Sequence, residues 1–249
     1  MKRSIQSIIL VIFASGIIGV HYSWAEQAVV FAIGEWAPFV GEKMENAGPT
    51  AEIISLACKK TGLKPDYQYM PWSRAYLMVK NGTAVGTFPW SCNAERAAEI
   101  FCPETPIMVS KDYVYYLKDA FPNGIMATKL EDLKPYKLVG ILSYWYDKPA
   151  KEMGLDMHLV SNGESALKMI HAGRKDAYIE NELVAPHEIK MVFPDDFNKF
   201  THSSEPIRTS DMFVLFSRVH PDAPDVMKKI DKALKELTAS GEIERILKK

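Results

Sequence analysis

Arg96 stands where a β-type run ends in a turn and a short helix opens, in the segment Gly86-Thr-Phe-Pro-Trp90-Ser-Cys92-Asn-Ala-Glu-Arg96. A guanidinium there sits beside the free amides of a helix N-terminus, and both favour a bound carboxylate. The plainer alternative is a surface arginine paired with Glu95 or Glu99. Trp90 and Ser91 close the run before it and would share any cleft that Arg96 faces. A second cation, Arg74, lies in Met70-Pro-Trp-Ser-Arg74-Ala75, where it offers itself to a ligand or caps an acidic neighbour. Trp72 reads equally well as core or cleft wall. Other chemistries lack their signatures. His158, His171, His187, His202 and His220 are scattered without metal-type spacing, and no nucleophile elbow, phosphate-cradling glycine loop or CxxC pair is present.

These groups need elements to hold them. Residues 29–34 read as a buried strand and residues 49–60 as a helix stopped by Gly62, with Ile53, Leu56 and Ala57 inward. A strand over 66–70, a helix over 72–80 stopped by Gly82, and the strand ending at Trp90 follow. Strand, helix, strand in that order predicts a parallel sheet with right-handed crossovers. The pattern recurs in residues 137–180. A strand over 137–142 and a short one over 158–160 precede a helix with Leu167, Met169 and Ile170, capped by Ser161 with Glu164 in a capping box and stopped by Gly173. A strand over 176–180 closes the unit. Two aromatic and β-branched stretches, 112–117 and 212–216, are placed to cross between two similar α/β lobes. Residues 224–239 put Val226, Ile230, Leu234 and Leu237 on one helical face. In such sheets ligands bind beyond the carboxyl ends of the strands.

Residues 1–25 read as a secretory signal peptide. Lys2 and Arg3 precede an apolar run from Ile8 to Val20, and Ser23-Trp24-Ala25 is a small-x-small cleavage site. The run is short for a membrane span, and no cysteine stands at the cleavage point, so the mature chain is expected to begin at Glu26 without stable membrane insertion. It then carries 28 basic and 31 acidic residues, a formal charge of −3, which argues against a nucleic-acid partner. An apolar content of 47% is ample for a core. Export would let cysteines pair. Cys92 and Cys102 are close enough in sequence to bridge around the Arg96 helix, with Cys58 free; three small buried thiols are the alternative.

The segment from Gly86 to Pro106 resembles the stretch bearing the carboxylate-binding arginine in family 3 bacterial extracellular solute-binding proteins, the polar amino-acid receptors of ABC importers. Gly34-Glu-Trp-Ala-Pro-Phe39, Gly173-Arg-Lys-Asp-Ala-Tyr178 and Thr238-Ala-Ser-Gly-Glu-Ile-Glu-Arg-Ile-Leu247 are similar to further segments of that family, in the same order. The resemblance implies a type II periplasmic binding protein fold. Lobe 1 would comprise 26–116 and 208–249, lobe 2 would comprise 117–207, and two strands would form the hinge. It implies a periplasmic receptor, without cofactor, metal or catalysis, acting as a monomer. The receptor would capture a small polar carboxylate-bearing ligand and pass it to importer permease subunits. Trp36 takes the place of an aromatic that packs on the ligand in that family.

The second lobe departs from the pattern. Ser143-Tyr144-Trp145-Tyr146 stands where amino-acid binders carry a small loop, so Tyr144 lines an aromatic pocket or shuts it. Asn181 stands where the family places an acid for the ligand's ammonium, with Glu180 and Glu182 beside it. A neutral amide attracts an ammonium less than a carboxylate does, which favours a ligand without a free α-ammonium unless Glu180 or Glu182 substitutes. Two rivals share the scaffold: a dehydratase- or lytic transglycosylase-like enzyme with Glu180 as general acid, and a sensory ligand-binding module.

Overall fold

The computed structural model describes residues 27–248. The predicted signal peptide lies outside them. The elements in chain order are β1 (Gln27–Ile33), α1 (Pro49–Lys60), β2 (Leu63–Tyr69), α2 (Trp72–Lys80), β3 (Gly86–Ser91), α3 (Ala94–Glu99) and β4 (Met108–Leu117). There follow β5 (Leu138–Ile141), α4 (Asp147–Glu152), β6 (Met157–Val160), α5 (Gly163–His171), β7 (Ala177–Asn181), α6 (Val184–Val192) and β8 (Phe200–His202). The chain ends with β9 (Arg208–Phe216), α7 (Ala223–Ala239) and α8 (Glu242–Leu247).

The strands run in the order β2-β1-β3-β9-β4-β7-β5-β6, with β8 beside β4. β1 pairs in parallel with β2 and β3, and β5 pairs in parallel with β6 and β7. These are the two strand–helix–strand units expected from the sequence. β4 and β9 join them, antiparallel to each other from Met108↔Met212 to Asp112↔Arg208. β9 also pairs with β3, and β4 with β7, so the two α/β lobes share one sheet.

One hydrophobic core unites β1, α1, β3, α7 and α8, with Phe31, Ile53, Phe216 and Ile230 fully buried. Lobe 2 has a core on each face of its sheet. In β4, Val114 and Tyr116 point to one face and Tyr115 to the other; in β7, Ile179 and Tyr178 divide the same way. That is the two-residue period of a strand buried on both sides.

Two local expectations are corrected. The cap of α5 is Asn162 rather than Ser161: its side chain accepts the Ser165 N–H at 2.9 Å, and asparagine serves at least as well as serine there. β2 begins at Leu63 and runs through Pro65. It is an edge strand, where a missing N–H is tolerated. The helix α6, which no pattern had suggested, packs on α5 and supplies Ala185 and Ile189 to the lobe 2 core.

Candidate functional site

Between the lobes, at the carboxyl ends of β1, β3, β5 and β7, lies a cavity with about 490 Å³ of empty space. Lobe 1 contributes Trp36 from the turn after β1, Trp72 from the start of α2, Trp90 and Ser91 from β3, and Arg96 from α3. Lobe 2 contributes Tyr144, Trp145 and Tyr146 from the turn after β5, and Ile179 and Glu180 from β7. Asp112 and Arg208 enter from the strands that join the lobes. Six of the eight named sequence candidates therefore meet in one cleft: Arg96, Trp36, Trp90, Ser91, Tyr144 and Glu180.

Arg96 is only 7% exposed. Its Nη1 donates to the Ser91 carbonyl and hydroxyl at 2.7 and 2.9 Å, and its Nη2 donates to the Ser143 carbonyl of lobe 2 at 2.8 Å. The guanidinium lies 4.6 Å from the centre of the Trp90 ring. Asn93 caps α3 by accepting the Arg96 N–H, so that amide is engaged within the helix. Burial, with Arg208 nearby, pulls the guanidinium down to about 10. It remains cationic at neutral pH.

Glu180 lines the same cavity from lobe 2 and is buried. Its carboxylate accepts from Trp36 Nε1 at 3.2 Å, from the Asn181 N–H at 2.8 Å and from the Tyr178 hydroxyl at 2.7 Å. The Trp36 bond crosses between lobes. Burial nonetheless pushes the Glu180 carboxyl up to about 7, because three donors only partly replace lost water.

Asn181 has no free polar end. Its amide donates to Ser110 Oγ at 3.0 Å, and its oxygen accepts the Leu183 and Val184 N–H groups at the start of α6. Glu182 is exposed. Arg74 is exposed on α2 and does not line this cavity. The second cation of the cleft is Arg208, 4.5 Å over the Trp145 ring and donating to Ser91 Oγ at 3.3 Å. Asp112, its partner in strand register, is held by Ser110 at 2.9 Å, and burial raises its carboxyl. Sequence reasoning missed both.

Tyr144 lines the central cavity and two flanking ones, and packs against all three hydrophobic cores. Ser143, before it, holds φ +67°, and its N–H donates to Asp147 at 3.0 Å. Cys92 and Cys102 are bridged around α3, and Cys58 is free and buried.

The arrangement is a cleft in which two cations and two carboxylates are set in aromatic walls between two lobes. Solved structures with this fold include a histidine kinase sensor domain similar to periplasmic binding proteins (TM-score 0.76, 17% identity, 89% of this chain and 95% of that one). An ancestral arginine-binding protein bound to arginine aligns at TM-score 0.73 with 20% identity, over 90% of this chain and 98% of that one. The amino acid ABC transporter substrate-binding protein AbpA from Streptococcus pneumoniae, bound to L-arginine, aligns at 0.71 with 18% identity, over 89% and 93%. The fold is thus the two-lobed α/β fold of type II solute-binding proteins. Among curated sequences no match reaches significance. The chain belongs to the bacterial extracellular solute-binding proteins, family 3, whose family model matches residues 29–249.

Proposed function

We propose that this protein is an exported periplasmic receptor that holds one small carboxylate-bearing ligand in the central cleft and delivers it to the permease subunits of an ABC importer. The observation that carries the reading is the pair Arg96 and Arg208, both stacked on tryptophans and both donating to Ser91. A ligand carboxylate takes the place of the Ser143 carbonyl on Arg96 Nη2. Glu180, one residue before the expected acidic position, faces the same cleft and supplies the acid for an ammonium. In this reading Glu180 rather than Asn181 is the acidic position, which favours a ligand with a free α-ammonium, because Asn181 is turned to Ser110 and α6. An amino acid or a close relative fits the charge pattern.

Residues 26–116 with 208–249, and residues 117–207, form the lobes in this reading, with β4 and β9 as the strands that bend when the cleft opens. The protein does no covalent chemistry and works as a monomer. A thermal-shift screen of the twenty amino acids against simple carboxylic acids tests the ligand class. Stabilisation confined to compounds without a carboxylate would refute it.

A sensory role is the second reading, favoured by the likeness in fold to a kinase sensor domain. Co-purification with permease subunits supports the importer; co-purification with a membrane kinase supports the sensor.

A further inference from the structure

A second chamber opens off the cleft, about 1260 Å³ including its mouth, between the β2–α2 turn of lobe 1 and the α5–α6 face of lobe 2. Trp72 and Tyr144 line both this chamber and the central cavity. Its lining carries Glu35, Glu164 and Glu188, and no lysine or arginine among the described residues. Two of its polar atoms, Glu188 Oε2 and Tyr69 Oη, are buried without a hydrogen-bond partner. The other acids are engaged: Glu164 with Lys168, and Glu35 with the Glu42 N–H at 3.1 Å.

A buried carboxylate oxygen without a partner is costly. Glu188 lines the chamber from α6. Its carboxylate rests against Gly163, the first residue of α5, so closely that a Cβ there would overlap both oxygens. A hydrogen-bond donor from outside the chain would relieve that cost, and a cationic donor would also pair the carboxyl's charged form. Among the described residues no three His, Cys, Asp or Glu groups converge to hold a metal ion, which points to an organic cation. Met70, Ile141 and Val192 offer it an apolar wall, and Trp72 and Tyr144 offer ring faces.

We propose that this chamber is a subsite for an ammonium or guanidinium group carried on an apolar stem, with Glu188 as its counter-ion and Tyr69 Oη as a hydrogen-bond acceptor. It rests on the central cleft being the ligand site, since it describes the ligand's other end. Burial and the charge of Glu180 also push the Glu188 carboxyl well above the usual carboxylate range, an imbalance that a bound cation reverses.

The test is calorimetric titration of wild type and Glu188→Gln with L-arginine, its decarboxylated analogue agmatine and its neutral isostere L-citrulline. Wild type is expected to bind arginine about tenfold or more tightly than citrulline, and Glu188→Gln to erase that preference while leaving citrulline unchanged. Agmatine lacks a carboxylate, so it separates the two assignments. If arginine has no advantage over agmatine, the Arg96 site is wrong, yet agmatine binding lost in Glu188→Gln still upholds the cation subsite. The subsite is overturned if neither cation binds at millimolar concentration, if citrulline matches arginine, or if the variant leaves their ratio unchanged. Without added ligand, Glu188→Gln is expected to melt no lower than wild type, because the amide keeps the shape of a carboxyl whose charged form burial already disfavours. A clear fall would make Glu188 structural and also overturn the proposal.

Discussion

Arg96 of lobe 1 donates through Nη2 to the backbone carbonyl of Ser143 in lobe 2, 2.8 Å away. Ser143 presents that carbonyl from a left-handed conformation, φ +67°, which a non-glycine residue adopts only at a cost of about 1–2 kcal/mol. Arg96 thus ties the two lobes together through the nitrogen that a carboxylate takes in the proposed receptor, where ligand and Ser143 would compete for it.

Truncating Arg96 should act on both sides of that competition. Arg96→Ala is expected to lower affinity for a carboxylate ligand by more than tenfold, about 2–5 kcal/mol. It should also lower the stability of the unliganded protein by about 1–3 kcal/mol, because the Ser91 oxygens and the Ser143 carbonyl lose their buried donor. The side chain is only 7% exposed, so its removal is felt in folding as well as in binding. Calorimetry and urea denaturation measure the two effects separately.

Glu180 should give the unliganded protein a distinctive pH dependence. Its carboxyl is raised from the ordinary 4.5 to about 7, chiefly by burial, with Tyr178, Trp36 and the Asn181 N–H opposing and Asp112 adding to the rise. The folded state then keeps a proton that the unfolded chain releases. Stability from this group is complete below 4.5 and falls as pH rises through about 7, by on the order of 3 kcal/mol. Glu180→Gln should flatten the curve across that window. Urea denaturation at steps from acid to mild alkali checks it, and a wild type that gains stability across the window would refute it.

The three cysteines should be chemically distinct. The bridge between Cys92 and Cys102, 10 residues apart, restrains the unfolded chain by roughly 2–3 kcal/mol in the entropy model. Burial pushes the Cys58 thiol up to about 12, so it should resist thiol reagents until the protein unfolds. Thiol counting should find none reactive in the native protein and one in denaturant. Reduction should lower the melting temperature.

Gly34 lies flat against the Trp72 indole: a Cβ there would stand 2.5 Å from Trp72 Cε2. Trp72 is fixed by its own bond from Nε1 to the Glu35 carbonyl at 3.2 Å. Gly34→Ala should therefore cost about 1–3 kcal/mol of overpacking and disturb the wall shared by both chambers. Thermal melting and Trp fluorescence report the two effects.

The sequence made the lobes legible because their strands and helices carry periodic apolar residues, and the glycines that stop the helices, Gly62, Gly82 and Gly173, hold positive φ as expected. The Arg96 cleft was legible for a related reason, since strand ends and helix starts converge by topology. Arg208, Asp112 and Glu188 were not. Each becomes part of a site only through contacts made across the sheet or between the lobes, and one-dimensional periodicity holds no trace of those. Asn181 was read as facing the ligand from its position alone; the structure turns its side chain to Ser110 and to the Leu183 and Val184 N–H groups.

The most direct test of the receptor reading is mass spectrometry of small molecules released from purified wild type and Arg96→Ala after denaturation. The expected result is one carboxylate-bearing compound, recovered chemically unchanged from wild type and depleted from the variant. A compound retained equally by both proteins, or recovered in converted form, would contradict the account.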